Sequence, residues 1–201
     1  MRLIINEYSH LFISYNDLLQ SEHIVINSNL NKNNVIVKRL KTILELSNCK
    51  ILEIINSNVK YLPNLPNCLI FKLVNATKIK TIPHIPNCIT FTAVVCEQLS
   101  EFKDKTLNCV EFKCIDSTKL KHLPQLPLCE NVCCTYCDNI KTIENLPNCK
   151  MLDCSNNEHL KLIKDIPICK KIINENCHKL IEIPKLYKEK SFIFCVDHLR
   201  H

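Results

Sequence analysis

The sequence predicts a repeat solenoid, mainly parallel β, with one short strand per turn of about 20 residues and an extended or 3-10 return side. Three observations carry that expectation. Cys49, Cys68, Cys88, Cys109, Cys129, Cys149 and Cys169 recur at intervals of 19 to 21 residues, each opening a unit of one design. Apolar residues two apart follow each cysteine, the mark of a strand with one face buried. Three units then close in a proline pair, as in Pro63-Asn64-Leu65-Pro66-Asn67, and three more in a single proline (Pro147, Pro167, Pro184). Proline lacks a backbone donor and disfavours helix in the residue before it, so these return legs are expected to be extended or single 3-10 turns.

With each cysteine as position one, position four reads Leu52, Phe71, Phe91, Phe112, Val132, Leu152, Ile172. Position six reads Ile54, Leu73, Ala93, Cys114, Cys134, Cys154, Asn174, so the last unit puts a polar residue in an inward column. Positions twelve (Ile79, Leu99, Leu120, Ile140, Leu160, Leu180) and fifteen (Ile82, Phe102, Leu123, Ile143, Ile163, Ile183) form a second inward set. The first unit is one residue short, and Val59 and Leu62 take those roles. The unit from Cys88 is one residue long and carries Lys103-Asp104-Lys105 in place of prolines, which implies a bulged return. Upstream, Lys41 to Asn48 matches the end of an earlier unit, with a strand at Ile24 to Ile26 and a polar insertion at Asn27 to Asn34. Residues 1 to 20 are expected to cap the array. Phe192 and Phe194 are assigned to positions four and six of a closing half-unit.

The pattern C-x-x-L-x-L-x-x-(N/C/S)-x-x-L-x-x-I-P-x-L-P-N resembles a leucine-rich repeat, the strand-bearing unit of horseshoe solenoids. Its Leu-Pro return is similar to the short bacterial-effector type. The Leu-Pro-Asn-Cys junctions and the Lys/Asn/Ile bias resemble repeat proteins of giant DNA viruses. The resemblance implies three segments: 1–28 as cap and partial first repeat, 29–188 as leucine-rich repeats, and 189–201 as half-repeat and tail. It also implies a non-enzymatic protein-interaction module. Cys195-Val196-Asp197 is similar to the Cys-x-Asp of bacterial leucine-rich-repeat ubiquitin ligases, but their catalytic domain has no counterpart here, and chance is the preferred account.

Composition narrows the classes further. Glycine is absent, against a usual ~7%, so tight turns fall to Asn, Asp and Pro, and no Gly-rich phosphate loop can form. No signal peptide or bilayer-length apolar run is evident, so the fifteen cysteines are expected to be thiols in a reducing intracellular compartment. Thirteen of them fall in columns at positions one, six and nine. Cys134-x-x-Cys137, with Cys129 and Cys133, has the spacing of a zinc knuckle. The strand phase instead sends Cys134 inward and Cys133 outward, which favours small buried hydrophobes over a metal site. No histidine spacing suggests a catalytic dyad. No cofactor and no enzyme activity are expected.

Two faces could bind a partner. The sheet's outward positions three, five and seven carry Ile51, Glu53, Ile55, Ile70, Lys72, Val74, Thr92, Val94, Lys113 and Ile115 over the first four units. Their apolar half makes a candidate patch for a protein partner, a host protein if the chain is viral. The plain alternative is a patch covered by the cap or the Asn27 to Asn34 insertion, or β-branched residues that merely suit strands. The second face is a lysine ladder, Lys41, Lys60, Lys80, Lys121, Lys141 and Lys161. Neighbouring charges about 5 Å apart in water repel by only ~0.8 kcal/mol, so a solvated edge is favoured over an anion site. The lack of interleaved arginines and aromatics weighs against nucleic acid. The sequence leaves the oligomeric state open.

Overall fold

A computed structural model describes residues 1–6, 13–27, 35–184 and 192–194. The expected insertion (28–34) and the Cys195-Val196-Asp197 motif lie outside the described residues. In chain order the elements are β1 (Arg2–Ile5), α1 (Tyr15–Gln20), β2 (His23–Asn27), α2 (Val35–Thr42), β3 (Ile51–Ile55), β4 (Ile70–Val74), β5 (Thr81–Ile82) and β6 (Thr90–Val94). They continue as β7 (Glu101–Phe102), β8 (Glu111–Ile115), β9 (Asn131–Cys133), β10 (Thr142–Ile143), β11 (Met151–Asp153), β12 (Leu162–Ile163), β13 (Lys171–Ile173) and β14 (Phe192–Phe194).

Ten of these strands form one sheet in the order β1-β2-β3-β4-β6-β8-β9-β11-β13-β14, every neighbouring pair parallel. Among the described residues, the return side carries the two-residue pairs β5–β7 and β10–β12, isolated bridges and, after β2, helix α2. The chain is therefore a parallel β-solenoid of about 8 stacked turns with little helix. Register is kept from coil to coil, Leu52 facing Phe71, then Phe91, Phe112, Val132, Leu152 and Ile172.

Each coil turns three corners by local chemistry. At position eight the backbone enters the left-handed region in all seven units, at Asn56, Asn75, Val95, Asp116, Tyr136, Asn156 and Asn176, with φ between 49° and 59°. Asn and Asp tolerate that region best after glycine, and this chain has no glycine. Val95 is β-branched and is strained there at φ 54°. Val95→Asn should therefore raise unfolding stability by about 1 kcal/mol, read as a higher urea midpoint at unchanged slope. The second corner is a β-turn from position nine to twelve, closed for example by Ile140 N–H on Cys137 O at 2.9 Å. The third is the Leu-Pro-Asn-Cys junction, where Cys68 N–H donates to Leu65 O at 3.2 Å and Cys149 N–H to Leu146 O at 3.2 Å. Proline presets φ for the second residue of such a turn. The junction asparagines also clamp the stack: Asn67 Nδ2 donates to Ser47 O, Asn87 to Pro66 O and Asn148 to Pro127 O, at 2.7 to 2.8 Å. Asn48 makes the same bond to Leu19 O of the cap.

Three features depart from expectation. The coil after β2 has no proline between Val35 and Thr42, and it returns through α2, burying Ile36 and Leu40. β14 pairs one residue later than expected: Ile193 lies opposite Ile172, and Phe192 opposite Lys171. A one-residue slip reverses which residues share a face, so Phe192 and Phe194 occupy positions three and five. Finally, Asn174 is only half-buried, where the inward column needs little polar accommodation.

The interior is a ladder of thiols, aliphatics and rings. The seven position-one cysteines are at most 4% exposed. Their thiols donate mainly to the carbonyl two residues ahead, as Cys68 does to Ile70 O at 3.2 Å. Phe91 stacks between Phe71 and Phe112, with centroids 5.7 and 5.0 Å away, and Phe102 of the return side tilts against it at 5.4 Å. Burial pushes the Cys49 and Cys88 thiols up to about 12, and those of Cys68 and Cys96 up to about 11, from 9.0. These thiols stay protonated in the fold while the unfolded chain ionises, so their contribution is whole below pH 9 and is lost as pH rises towards 12. Each such thiol lowers stability by about 1.4 kcal/mol per pH unit across that window. Urea midpoints should accordingly be flat from pH 7 to 8 and fall steeply from pH 9 to 11.

Candidate functional site

The solvent-facing rows of the main sheet are set by the same register. Row five runs Val25, Glu53, Lys72, Thr92, Lys113 and Cys133, one residue per strand, with Val25 at its β2 end buried. Row seven runs Ile55, Val74, Val94 and Ile115, all half-buried, and row three starts with Ile51 and the exposed Ile70. The ten residues singled out in the sequence thus lie on one continuous surface over β3, β4, β6 and β8. Adjacent rows stand about 4.8 Å apart with parallel side chains, the geometry of rigid display.

Charge at the β2–β4 end of this surface is paired. Glu53 Oε1 lies 2.9 Å from His23 Nε2, and Glu53 Oε2 accepts from Lys72 Nζ at 3.3 Å. The hydrogen bond from His23, helped by Lys72, holds the Glu53 carboxyl below its usual range. His23 comes from β2, so this triad ties the capping coil to the first full repeat; the sequence pointed to Glu53 and Lys72 but missed their bridge. With Glu53 and Lys72 satisfied by each other, row seven and Ile70 are the part of the surface left to seek an apolar partner.

The lysine edge is solvent-facing. Lys41, Lys60, Lys80, Lys121, Lys141 and Lys161 are all exposed, and none of the last five forms an ion pair among the described residues. Lys41 differs in setting: it sits in the last turn of α2, its Nζ 5.8 Å from the Tyr61 ring centroid.

The cysteines divide as the phase predicts: Cys134 is buried and Cys133 faces outward, half-buried. Among the described residues no group of three or more His, Cys, Asp or Glu side chains is disposed to hold a metal ion. One constellation escaped the sequence analysis. His84 Nδ1 bonds Asp104 Oδ1 from the next coil, while Asp104 Oδ2 accepts from Ile85 N at 2.7 Å. The Lys103-Asp104-Lys105 return sets that carboxylate against the preceding coil, and Lys103 Nζ reaches Asn64 Oδ1 at 3.2 Å. No histidine spacing had marked this pair in the sequence. The two residues are 20 apart, so folding the sequence by its period would have placed them side by side. An open cleft of about 600 Å³ also runs along the return side between Pro127, Pro147, Pro167 and Pro184, with Gln125, Asn145 and Asp165 on its walls.

No helix among the described residues is long and apolar enough to cross a membrane. Compared with known protein families, curated proteins and solved structures, the chain matches none of them.

Proposed function

We propose that this protein is a non-enzymatic protein-interaction module of the leucine-rich-repeat kind, working in a reducing intracellular compartment and engaging a protein partner through the outward rows of its main sheet. The observation that supports this most is row seven. Four β-branched side chains, Ile55, Val74, Val94 and Ile115, stand in consecutive register on a surface where Glu53 pairs with both His23 and Lys72. A stacked sheet presents such a row without further ordering, so little conformational entropy is lost on binding. If the chain is viral, as its repeat resemblance implies, the partner is a host protein.

The test is affinity capture from host cells with the wild type and an Ile55→Asp/Val74→Asp variant of unchanged thermal stability. The reading expects specific proteins to be lost with the variant; recovery of the same set would overturn it. A second reading, a basic edge for nucleic acid or anionic surfaces, draws on the five unpaired ladder lysines. It predicts steeply salt-dependent retention on DNA or heparin that falls when Lys121, Lys141 and Lys161 become Gln.

A further inference from the structure

A column outside both surfaces carries an inference of its own. The residue just before each strand, position two, is threaded into a continuous backbone ladder. Lys50 N–H donates to Glu22 O at 2.7 Å, Leu69 to Lys50 O at 2.7 Å, Ile89 to Leu69 O at 2.8 Å and Val110 to Ile89 O at 2.8 Å. Glu130 and Lys150 continue it at 2.9 and 2.7 Å. From Glu22 to Lys150 the side chains read acidic, basic, aliphatic, aliphatic, aliphatic, acidic, basic, and Lys170 follows on the same ladder at 2.9 Å, beyond that antisymmetric stretch. The three aliphatics are exposed, Leu69 38%, Ile89 48% and Val110 38%, and each end is closed by an ion pair, Lys50–Glu22 at 3.4 Å and Lys150–Glu130 at 2.7 Å.

The order of charges in that line is antisymmetric about Ile89. A two-fold axis through Ile89 lays a second copy over the first with Leu69 facing Val110, Lys50 facing Glu130 and Glu22 facing Lys150. Because every step is the same ~4.8 Å, the reversed line matches its partner in spacing as well as sign, at about 10 and 14 Å either side of the axis. The neighbouring axes fail. One through Val110 sets Ile89 on Glu130 and Lys50 on Lys170, and one through Leu69 sets Lys50 on Ile89 and Glu22 on Val110. Self-complementarity under a single two-fold is what an isologous dimer requires.

We propose that this column is a homodimer interface, with Ile89 on the two-fold axis, a dry aliphatic centre, and an alternating four-charge cluster at each end. The occupant is a second copy of this chain, because the line itself supplies the complement to each of its charges. The proposal is independent of what the outward sheet rows bind.

The test is sedimentation velocity on the reduced full chain over a dilution series, with circular dichroism and thermal unfolding as controls for folding. The wild type should show a concentration-dependent monomer–dimer equilibrium. Ile89→Asp should weaken dimerisation by at least about tenfold, since it sets two carboxylates against each other on the axis. Lys50→Glu alone, or Glu130→Lys alone, should also weaken it, because each places two like-charge pairs across the interface. An equimolar mixture of these two variants should associate again, because each then meets the opposite charge on its partner. A wild type that stays monomeric at all concentrations, a dimer indifferent to Ile89→Asp, or a mixture that fails to recover association would each overturn the proposal.

Discussion

Asn157→Leu is expected to lower unfolding stability by about 3–5 kcal/mol, although leucine fills nearly the same volume. Asn157 is wholly buried at position nine. Its Oδ1 accepts from Cys137 N at 2.6 Å, and its Nδ2 donates to Cys134 O at 2.6 Å and Cys154 O at 2.9 Å. One side chain thus joins two coils where the left-handed residue before it turns the backbone away from the sheet ladder. Leucine would strip these bonds from Cys137 N and Cys134 O, at about 1–3 kcal/mol each, and leave Cys154 O with only the Cys177 thiol. The other units show a lesser substitute: Cys137 Sγ donates to Cys114 O at 3.4 Å and Cys177 Sγ to Cys154 O at 3.1 Å. Asn157→Cys should therefore cost clearly less than Asn157→Leu. Urea unfolding of both variants checks the order; a leucine variant as stable as wild type would show that the amide bonds contribute little.

Phe91→Ala is expected to cost a similar 3–5 kcal/mol, by a different mechanism. Phe91 is the middle ring of the Phe71–Phe91–Phe112 stack and also meets Phe102, so its loss opens a cavity that joins three coils. In a stacked array each coil is held by its neighbours, so a void at their interface also weakens coupling between the halves. The denaturant slope should fall along with the midpoint, or the transition should split in two. Phe91→Leu, which keeps most of the volume, should lose less and remain one transition. Equal losses for Ala and Leu would point away from packing.

Much of this architecture was legible because one period governs it. Columns one, four and six could be read inward from Cys49, Phe71 or Leu152 alone, since a strand alternates faces and a solenoid repeats them. Corners were harder. Position eight is left-handed throughout, yet Val95 and Tyr136 break its Asn/Asp signature, and without glycine the usual marker of such a turn is missing. Helix α2 went unread because the prolines that forbid helix elsewhere are absent from Val35 to Thr42. The slip at β14 followed from counting forward into a unit with no cysteine to mark its start. The His84–Asp104 dyad and the antisymmetric charges of position two were both present as letters, but they emerge only when each column is read down the stack.

Whether the coils pile in register around a dry thiol interior is tested most directly by labelling the native, reduced protein with a small maleimide and locating the modified sites by mass spectrometry. Among the fourteen described cysteines, Cys133 should react first, while Cys68, Cys109 and Cys149 stay protected until denaturant is added. Labelling of those three at the rate seen in the unfolded chain would contradict the stacked-coil fold and the surfaces built on it.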